Sequence, residues 1–117
     1  MDHVEKRREK RLYITFDVRF DMSSHQQWVS SSAKNISING MCLLTKEHIP
    51  LGTLLFIEFF IPDEDTTIQI TGEVVWNGEH KVSDSLYFEN GITFIEIQSK
   101  YKDLIGKYIE GATFEKK

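Results

Sequence analysis

Hydrophobic and polar residues alternate with a period of two in two stretches of the chain. The clearest run covers residues 12–20, where apolar side chains occupy one side of the chain and Tyr13, Thr15, Asp17 and Arg19 the other. Nine alternating residues are typical of a strand with one buried face. Residues 66–76 alternate again and predict another strand. The segments 27–38, 41–45, 53–61 and 86–97, which lie between turn signals, predict the remaining strands. We therefore expect about six strands.

Turn signals separate these predicted strands. Polar segments at 21–25, 62–65 and 77–84 predict turns or loops, and Asn39-Gly40 predicts a tight turn because both residues tolerate positive φ. Gly91 is expected to mark a kink or a β-bulge in the last strand.

Only the C-terminal end has helical spacing. We expect a helix over about 99–110, with Ser99 as N-cap and Gly111 at its end; its apolar positions are Tyr101, Leu104, Ile105, Tyr108 and Ile109. Six or so short strands and one terminal helix predict a small antiparallel barrel or sandwich. The chain has 117 residues, enough for one core. We expect a barrel domain over 12–117, preceded by a flexible basic segment, 1–11.

Charge is distributed unevenly. Residues 1–11 contain five Lys/Arg and three acids, whereas the other residues contain nine Lys/Arg and fifteen acids, which together give the net charge of −4. A nucleic-acid binder spreads positive charge over a face, because affinity comes from neutralising many phosphates. A compact basic cluster on an acidic body fits a small anion better than a nucleic-acid polymer.

Several other classes of protein are not expected. The longest apolar stretch, Leu54–Pro62, is interrupted by Glu58 and is about half the length that a membrane span needs. The N-terminus lacks the apolar stretch of a secretory signal, so we expect a cytoplasmic protein. The scattered histidines have no metal-ligand spacing, and no nucleophile elbow or phosphate loop occurs. The single cysteine, Cys42, lies in an apolar run and is expected in the core. We expect no catalysis, metal or cofactor.

The first candidate site is the basic stretch Arg7-Arg8-Glu9-Lys10-Arg11, directly before the first strand. Guanidinium groups bind phosphate bidentately, grip the O6/N7 edge of guanine and stack on its ring. Two arginines four residues apart could therefore clamp a guanine nucleotide. The alternative is a solvated basic tail.

The second candidate site is Asn35-Ile36-Ser37-Ile38-Asn39-Gly40. If the two isoleucines point to one side, the amides and the hydroxyl point to the other, next to a glycine that lets the chain turn. Such a group of side chains can hydrogen-bond a purine edge or a phosphate oxygen. The alternative is a hairpin turn with outward polar residues.

Together, in this order and spacing, the two stretches resemble the PilZ domain family. That family carries Arg-x-x-x-Arg before a strand and Asn/Asp-x-Ser-x-x-Gly farther along. The matching positions here are Arg7, Arg11, Asn35, Ser37 and Gly40. Residues 72–76 and 91–94 and the closing helix resemble the family as well, so the resemblance covers essentially the whole chain.

The resemblance implies a six-stranded antiparallel β-barrel that binds the bacterial second messenger cyclic di-GMP. Arg7 and Arg11 would contact guanine and phosphates, Asn35 and Ser37 would hydrogen-bond the ligand, and Gly40 would permit the turn. Arg8 and Lys6 would add phosphate contacts. Because Lys6 precedes the first motif arginine, the number of bound ligand molecules stays open.

The function expected from the resemblance is that of a non-catalytic receptor. Ligand charge would draw the basic segment onto the barrel, and a downstream protein, not identified by the sequence, would bind the new surface. One alternative is a protein-interaction adaptor with a vestigial ligand site. Another is a barrel that binds single-stranded nucleic acid through Trp28, Tyr13 and Tyr87, which the acidic body opposes. Trp76 is expected either to pack in the core or to stack at the ligand's edge.

Overall fold

The structure is a computed structural model that describes residues 10–22, 27–61 and 65–115. Its strands form a closed antiparallel barrel in the order β1-β2-β3-β6-β5-β4. These strands are β1 (Phe16–Met22), β2 (Val29–Ile36), β3 (Gly40–Thr45), β4 (Leu54–Phe60), β5 (Thr67–Val82) and β6 (Ser85–Ile97), and they are followed by helix α1 (Ser99–Glu115). The predicted fold class, a six-stranded barrel with a C-terminal helix, is confirmed.

The core lies inside the barrel and under α1. Alternate residues of each strand point inward, and most of them are β-branched, Leu or Phe, the residue types that pack well on a pleated surface. Leu43, Leu55 and Ile68 are fully buried. The helix adds Ile105 and Ile109, which are buried in the same apolar cluster. Cys42 is a free, buried thiol, as expected.

The first alternating run is only partly a strand. Strand β1 begins at Phe16, and Leu12 forms an isolated antiparallel bridge with Ile36. The chain between them is exposed at Tyr13, Ile14 and Thr15, so the expectation of one strand from residue 12 to residue 20 is corrected. The alternating pattern includes both the bridge residue Leu12 and strand β1, because Leu12 and Phe20, which share one phase of the pattern, are both buried.

The predicted loop at 77–84 is largely a strand. Strand β5 continues to Val82, and a turn through Ser83 and Asp84 leads into β6. Ser83 adopts a φ of 55°, which the tight reversal requires. The pattern indicated a loop because this part of β5 is polar on both faces. The other two predicted turns fall mainly on 23–26 and 62–64, which lie outside the described residues.

Two glycine predictions are also corrected. Helix α1 continues past Gly111 to Glu115. Among the described residues, only Ser83 and Gly52 have positive φ, so neither Gly111 nor the Asn39-Gly40 turn uses the left-handed conformation. In the described part of the chain, α1 is too short and too polar to span a membrane, and no other helix is a candidate.

Candidate ligand-binding site

The bridge between Leu12 and Ile36 brings the two candidate motifs together. Its two backbone hydrogen bonds, 2.9 and 3.0 Å, join the residue after Arg11 to the residue between Asn35 and Ser37. Arg11 then donates from Nη1 to Asn35 Oδ1 at 2.7 Å and from Nη2 to Ser37 Oγ at 3.3 Å. Residues separated by more than 20 positions in the sequence therefore form one polar group, with a positive charge held at its centre.

The Ser37 hydroxyl organises the turn that follows β2. Ser37 is fully buried. Its Oγ accepts a hydrogen bond from the Asn39 amide at 3.2 Å and donates to the Gly40 carbonyl at 3.4 Å, while the Ser37 amide donates to the same carbonyl at 2.8 Å. A serine in this position stabilises a tight reversal by replacing backbone partners.

Gly40 is needed for close approach rather than for an unusual φ. A Cβ atom at Gly40 would lie 2.2 Å from the carbonyl oxygen of Ile92 on β6. The turn is fixed to the same strand by a bond of 2.9 Å from the Phe94 amide to the Asn39 carbonyl. The motif glycine therefore lets β3 start directly against β6, next to the polar group around Arg11.

Trp76 lies on the outside of the barrel because of a bulge in β5. Val74 is opposite Ile92 and Trp76 is opposite Gly91, so Val75 has no partner of its own and the alternation shifts by one residue. Val74 is buried, but Trp76 is 47% exposed. A Cβ atom at Gly91 would lie 2.0 Å from Trp76 Nε1, so the indole rests on the bare backbone of Gly91. Of the two expectations for Trp76, core packing does not fit this position.

These features surround a surface cavity of about 440 Å³. This volume is within the range of about 300–1,000 Å³ that is usual for small-molecule sites. Motif side chains and aromatic rings both line the cavity, together with parts of β3, β5 and β6: Arg11, Tyr13, Asn35, Asn39, Gly40, Met41, Cys42, Val75, Trp76, Gly91, Ile92 and Thr93.

The structure thus brings together three predicted site residues, Arg11, Asn35 and Gly40, at one cavity, with Ser37 beneath the turn. Arg7 and Arg8, together with Lys6, lie outside the described residues. Sequence reasoning did not assign Val75 or Thr93 to the site. Val75 reaches the cavity through the bulge and Thr93 through the pairing of β6 with β3, and neither event has a local sequence signal.

The electrostatics around the cavity are set by a few neighbouring charges. Burial raises the pKa of the Cys42 thiol, with a further contribution from Glu89, so the sulfur stays protonated at neutral pH. Beside Asn35, Lys34 Nζ lies 2.9 Å from Glu89 Oε2. That hydrogen bond lowers the pKa of Glu89 and raises the pKa of Lys34. Within the described ranges, no group of three or more His, Cys, Asp or Glu side chains could hold a metal ion.

Comparison with known proteins identifies the family. The model of the PilZ domain matches residues 5–111, which is most of the chain and includes both motifs. The protein therefore belongs to the PilZ domain family, as the resemblance indicated. No curated protein sequence matches the chain.

Solved structures agree on the fold. The inhibitor of motility MotI/DgrA of Bacillus subtilis is 16% identical with a TM-score of 0.78, over 93% of this chain and 52% of that one. The PilZ domain of YcgR from Escherichia coli, solved with c-di-GMP, is 14% identical with a TM-score of 0.72, over 94% of this chain and 93% of that one.

A third structure, the MrkH–c-di-GMP complex of K. pneumonia, is 17% identical with a TM-score of 0.71, over 92% of this chain and 52% of that one. The chain thus spans about half the length of MotI/DgrA and of MrkH. At these identities the likeness establishes the fold and not a shared activity.

Proposed function

We propose that this protein is a non-catalytic receptor for cyclic di-GMP that acts in the bacterial cytoplasm. The observation that carries the proposal is the contact of Arg11 with both Asn35 and Ser37 at the rim of the cavity under Trp76. Family membership supports the same ligand, as does the presence of c-di-GMP in the YcgR and MrkH structures.

Arg11 supplies the charge that the ligand needs. A guanidinium carries five N–H donors. The bonds to Asn35 and Ser37 hold the group in place, and its remaining donors meet a phosphate oxygen or the O6/N7 edge of guanine. Asn35 is buried apart from the face it presents to the cavity, so its amide adds a hydrogen bond of fixed direction. Ser37 acts mainly by positioning Arg11 and the turn.

Trp76 supplies the apolar surface. Its indole is half-exposed above Gly91 and beside the cavity, where a guanine ring can stack on it. Stacking on an aromatic side chain suits a planar base, because the two π faces exclude water from each other. A cavity with one cationic edge and one aromatic face matches a molecule that is anionic in its ring of phosphates and aromatic in its bases.

Arg7 and Arg8 complete the site in this proposal. Ligand phosphates draw the N-terminal segment onto the barrel, and the ordered segment forms a surface to which a downstream protein binds. Residues 1–11 have a local charge of +2, whereas the rest of the chain has −6. The acidic body attracts this basic segment, and the phosphates of the bound ligand add direct partners for Arg7 and Arg8.

Thermal melting with and without cyclic di-GMP tests the proposal. A ligand that binds only the folded state stabilises it, by about 2.7 kcal/mol at a concentration 100 times Kd. We expect the Tm to rise with ligand concentration, and the rise to be lost in Arg7→Ala and in Arg11→Ala, while both variants keep the circular dichroism of the barrel.

Arg19→Ala is the matched control, because Arg19 is also a paired surface arginine but binds Glu58 on β4, outside the cavity. It should keep the full ligand-induced rise. If the Tm of the wild-type protein does not change with cyclic di-GMP, the result would favour a protein-interaction adaptor with a vestigial ligand site.

A further inference from the structure

Strand β5 extends well beyond its neighbour β4. It pairs with β4 only from Thr67 to Glu73, whereas it pairs with β6 as far as Val82. Next to β4, the loop residues Gly52 and Thr53 form backbone hydrogen bonds with Val74 and so cover the same side of β5. The Asn77 side chain then donates to the Ile49 carbonyl. Beyond that contact, no described strand pairs with the β4 side of residues 78–82, which we call the hairpin edge.

An edge of this kind offers backbone hydrogen bonds. In an antiparallel pair, alternate residues direct both N–H and C=O away from the partner strand. Such groups are a template for another strand, and proteins usually protect them with charged side chains. The charged side chains of the hairpin edge that share one face are Glu79 and Lys81. Both are exposed, and neither forms an ion pair with another described residue.

The charges of the hairpin edge are self-complementary. If two copies pair antiparallel about a twofold axis at His80, Glu79 of each copy lies directly opposite Lys81 of the other. Moving the axis to Glu79 places two carboxylates opposite each other, and moving it to Lys81 does the same with two ammonium groups. Directly opposite charges of unlike sign stabilise a strand pair and like charges destabilise it. One register is therefore selected.

The remaining residues of the edge are compatible with this register. The axis at His80 places Gly78 opposite Val82, so a small residue meets an apolar side chain that is 50% exposed. His80 lies on the face opposite Glu79 and Lys81, where its Nδ1 is 3.0 Å from Glu89 of the same chain. Leu86, the β6 partner of Lys81, adds a second exposed apolar side chain beside the ion pairs.

We propose that the hairpin edge is a homodimerisation surface, on which a second copy of this chain adds its own residues 78–82 as an antiparallel strand. The two hairpins then form one continuous sheet across the twofold axis, with two Glu79–Lys81 pairs between the copies. Because five residues a side form a small interface, the dimer is in concentration-dependent exchange with the monomer. The proposal is independent of the ligand bound at the cavity.

Sedimentation velocity over a wide range of protein concentrations tests this surface. The wild-type protein should show a reversible monomer–dimer equilibrium. Glu79→Lys places lysines opposite each other and Lys81→Glu places glutamates opposite each other, so each variant alone should raise the dimer Kd on the order of tenfold or more. Mixing the two variants restores unlike charges at both positions and should restore a dimer, here a heterodimer.

The exchanged double variant, Glu79→Lys with Lys81→Glu, should dimerise like the wild type. Glu110→Lys changes an exposed acid on α1 and should have no effect. A wild-type protein that stays monomeric at every concentration would overturn the proposal. So would charge variants that dimerise as the wild type does, or a mixture of the two that shows no gain over either alone.

Discussion

Removing the indole of Trp76 separates the role of the aromatic face from the stability of the barrel. Trp76 is 47% exposed and its ring lies on Gly91, outside the core. Trp76→Ala therefore leaves the buried side chains of β5, such as Val74, in place. We expect the variant to fold and to melt close to the wild type, but to lose the surface on which a guanine stacks.

The size of the loss follows from the contact that disappears. Base–aromatic stacking contributes about 1–3 kcal/mol per base, as measured by alanine substitution. Because 1.4 kcal/mol is a factor of ten in a dissociation constant, the Kd for cyclic di-GMP should rise by about 5- to 150-fold. Trp76→Phe keeps a smaller ring and should fall between the wild type and Trp76→Ala.

Trp28 provides a matched control. It is the other tryptophan, it is 40% exposed, and its ring lies 4.6 Å from the guanidinium of Arg19 instead of beside the cavity. When Trp76→Ala and Trp28→Ala are each titrated with cyclic di-GMP, only Trp76→Ala should show a weakened affinity. In Trp28→Phe, the remaining tryptophan fluorescence should change on ligand addition. Equal affinities for Trp76→Ala and Trp28→Ala would refute the stacking role.

Three further predictions concern stability. Gly40→Ala places a methyl group within 2.2 Å of the Ile92 carbonyl, so denaturant titration should show a loss of about 1–3 kcal/mol; an unchanged unfolding midpoint would contradict the close approach. Glu89→Gln removes the partner of Lys34 and should cost up to about 1 kcal/mol at neutral pH. Because the folded protein lowers the pKa of Glu89, this stabilisation is present above the ordinary pKa of 4.5 and is lost as the pH falls through the lowered value. The difference between wild type and variant should therefore shrink in acid, and a difference independent of pH would exclude this origin. Asn90→Ala leaves buried partners without hydrogen bonds and should cost about 1–3 kcal/mol in the same titration, whereas an unchanged midpoint would show that water replaces the amide.

Alternation predicted β1 and the inner part of β5, because each of these has one buried face. It failed where β5 extends beyond β4, since the outer part of β5 has no core to face and its polar residues resemble a loop. It also could not show the bulge at Val75, which depends on how β5 and β6 pair and not on the residues of β5 alone. Gly111 was expected to end α1, but the helix continues to Glu115. A glycine inside a helix costs only about 1 kcal/mol, so it does not have to end the helix.

The sequence motifs pointed to part of the candidate site, whereas the residues outside the motifs could not be predicted. The sequence pointed to Arg11, Asn35, Ser37 and Gly40 through their types, their spacing and the resemblance to the PilZ family. The structure places these four residues next to one another. The reason for Gly40 was predicted wrongly, because close approach to β6 is a tertiary contact that the turn sequence does not reveal. The same limit applies to Thr93, which lies at the cavity only because β6 is opposite β3.

Isothermal titration of the wild-type protein with cyclic di-GMP tests the central claim most directly. The claim is that the guanidinium held by Asn35 and Ser37, together with the indole of Trp76, forms a site for this ligand. We expect a saturable binding isotherm that is abolished in Arg11→Ala and retained in Arg19→Ala. An absence of binding heat at several temperatures, or equal binding by Arg11→Ala, would contradict it.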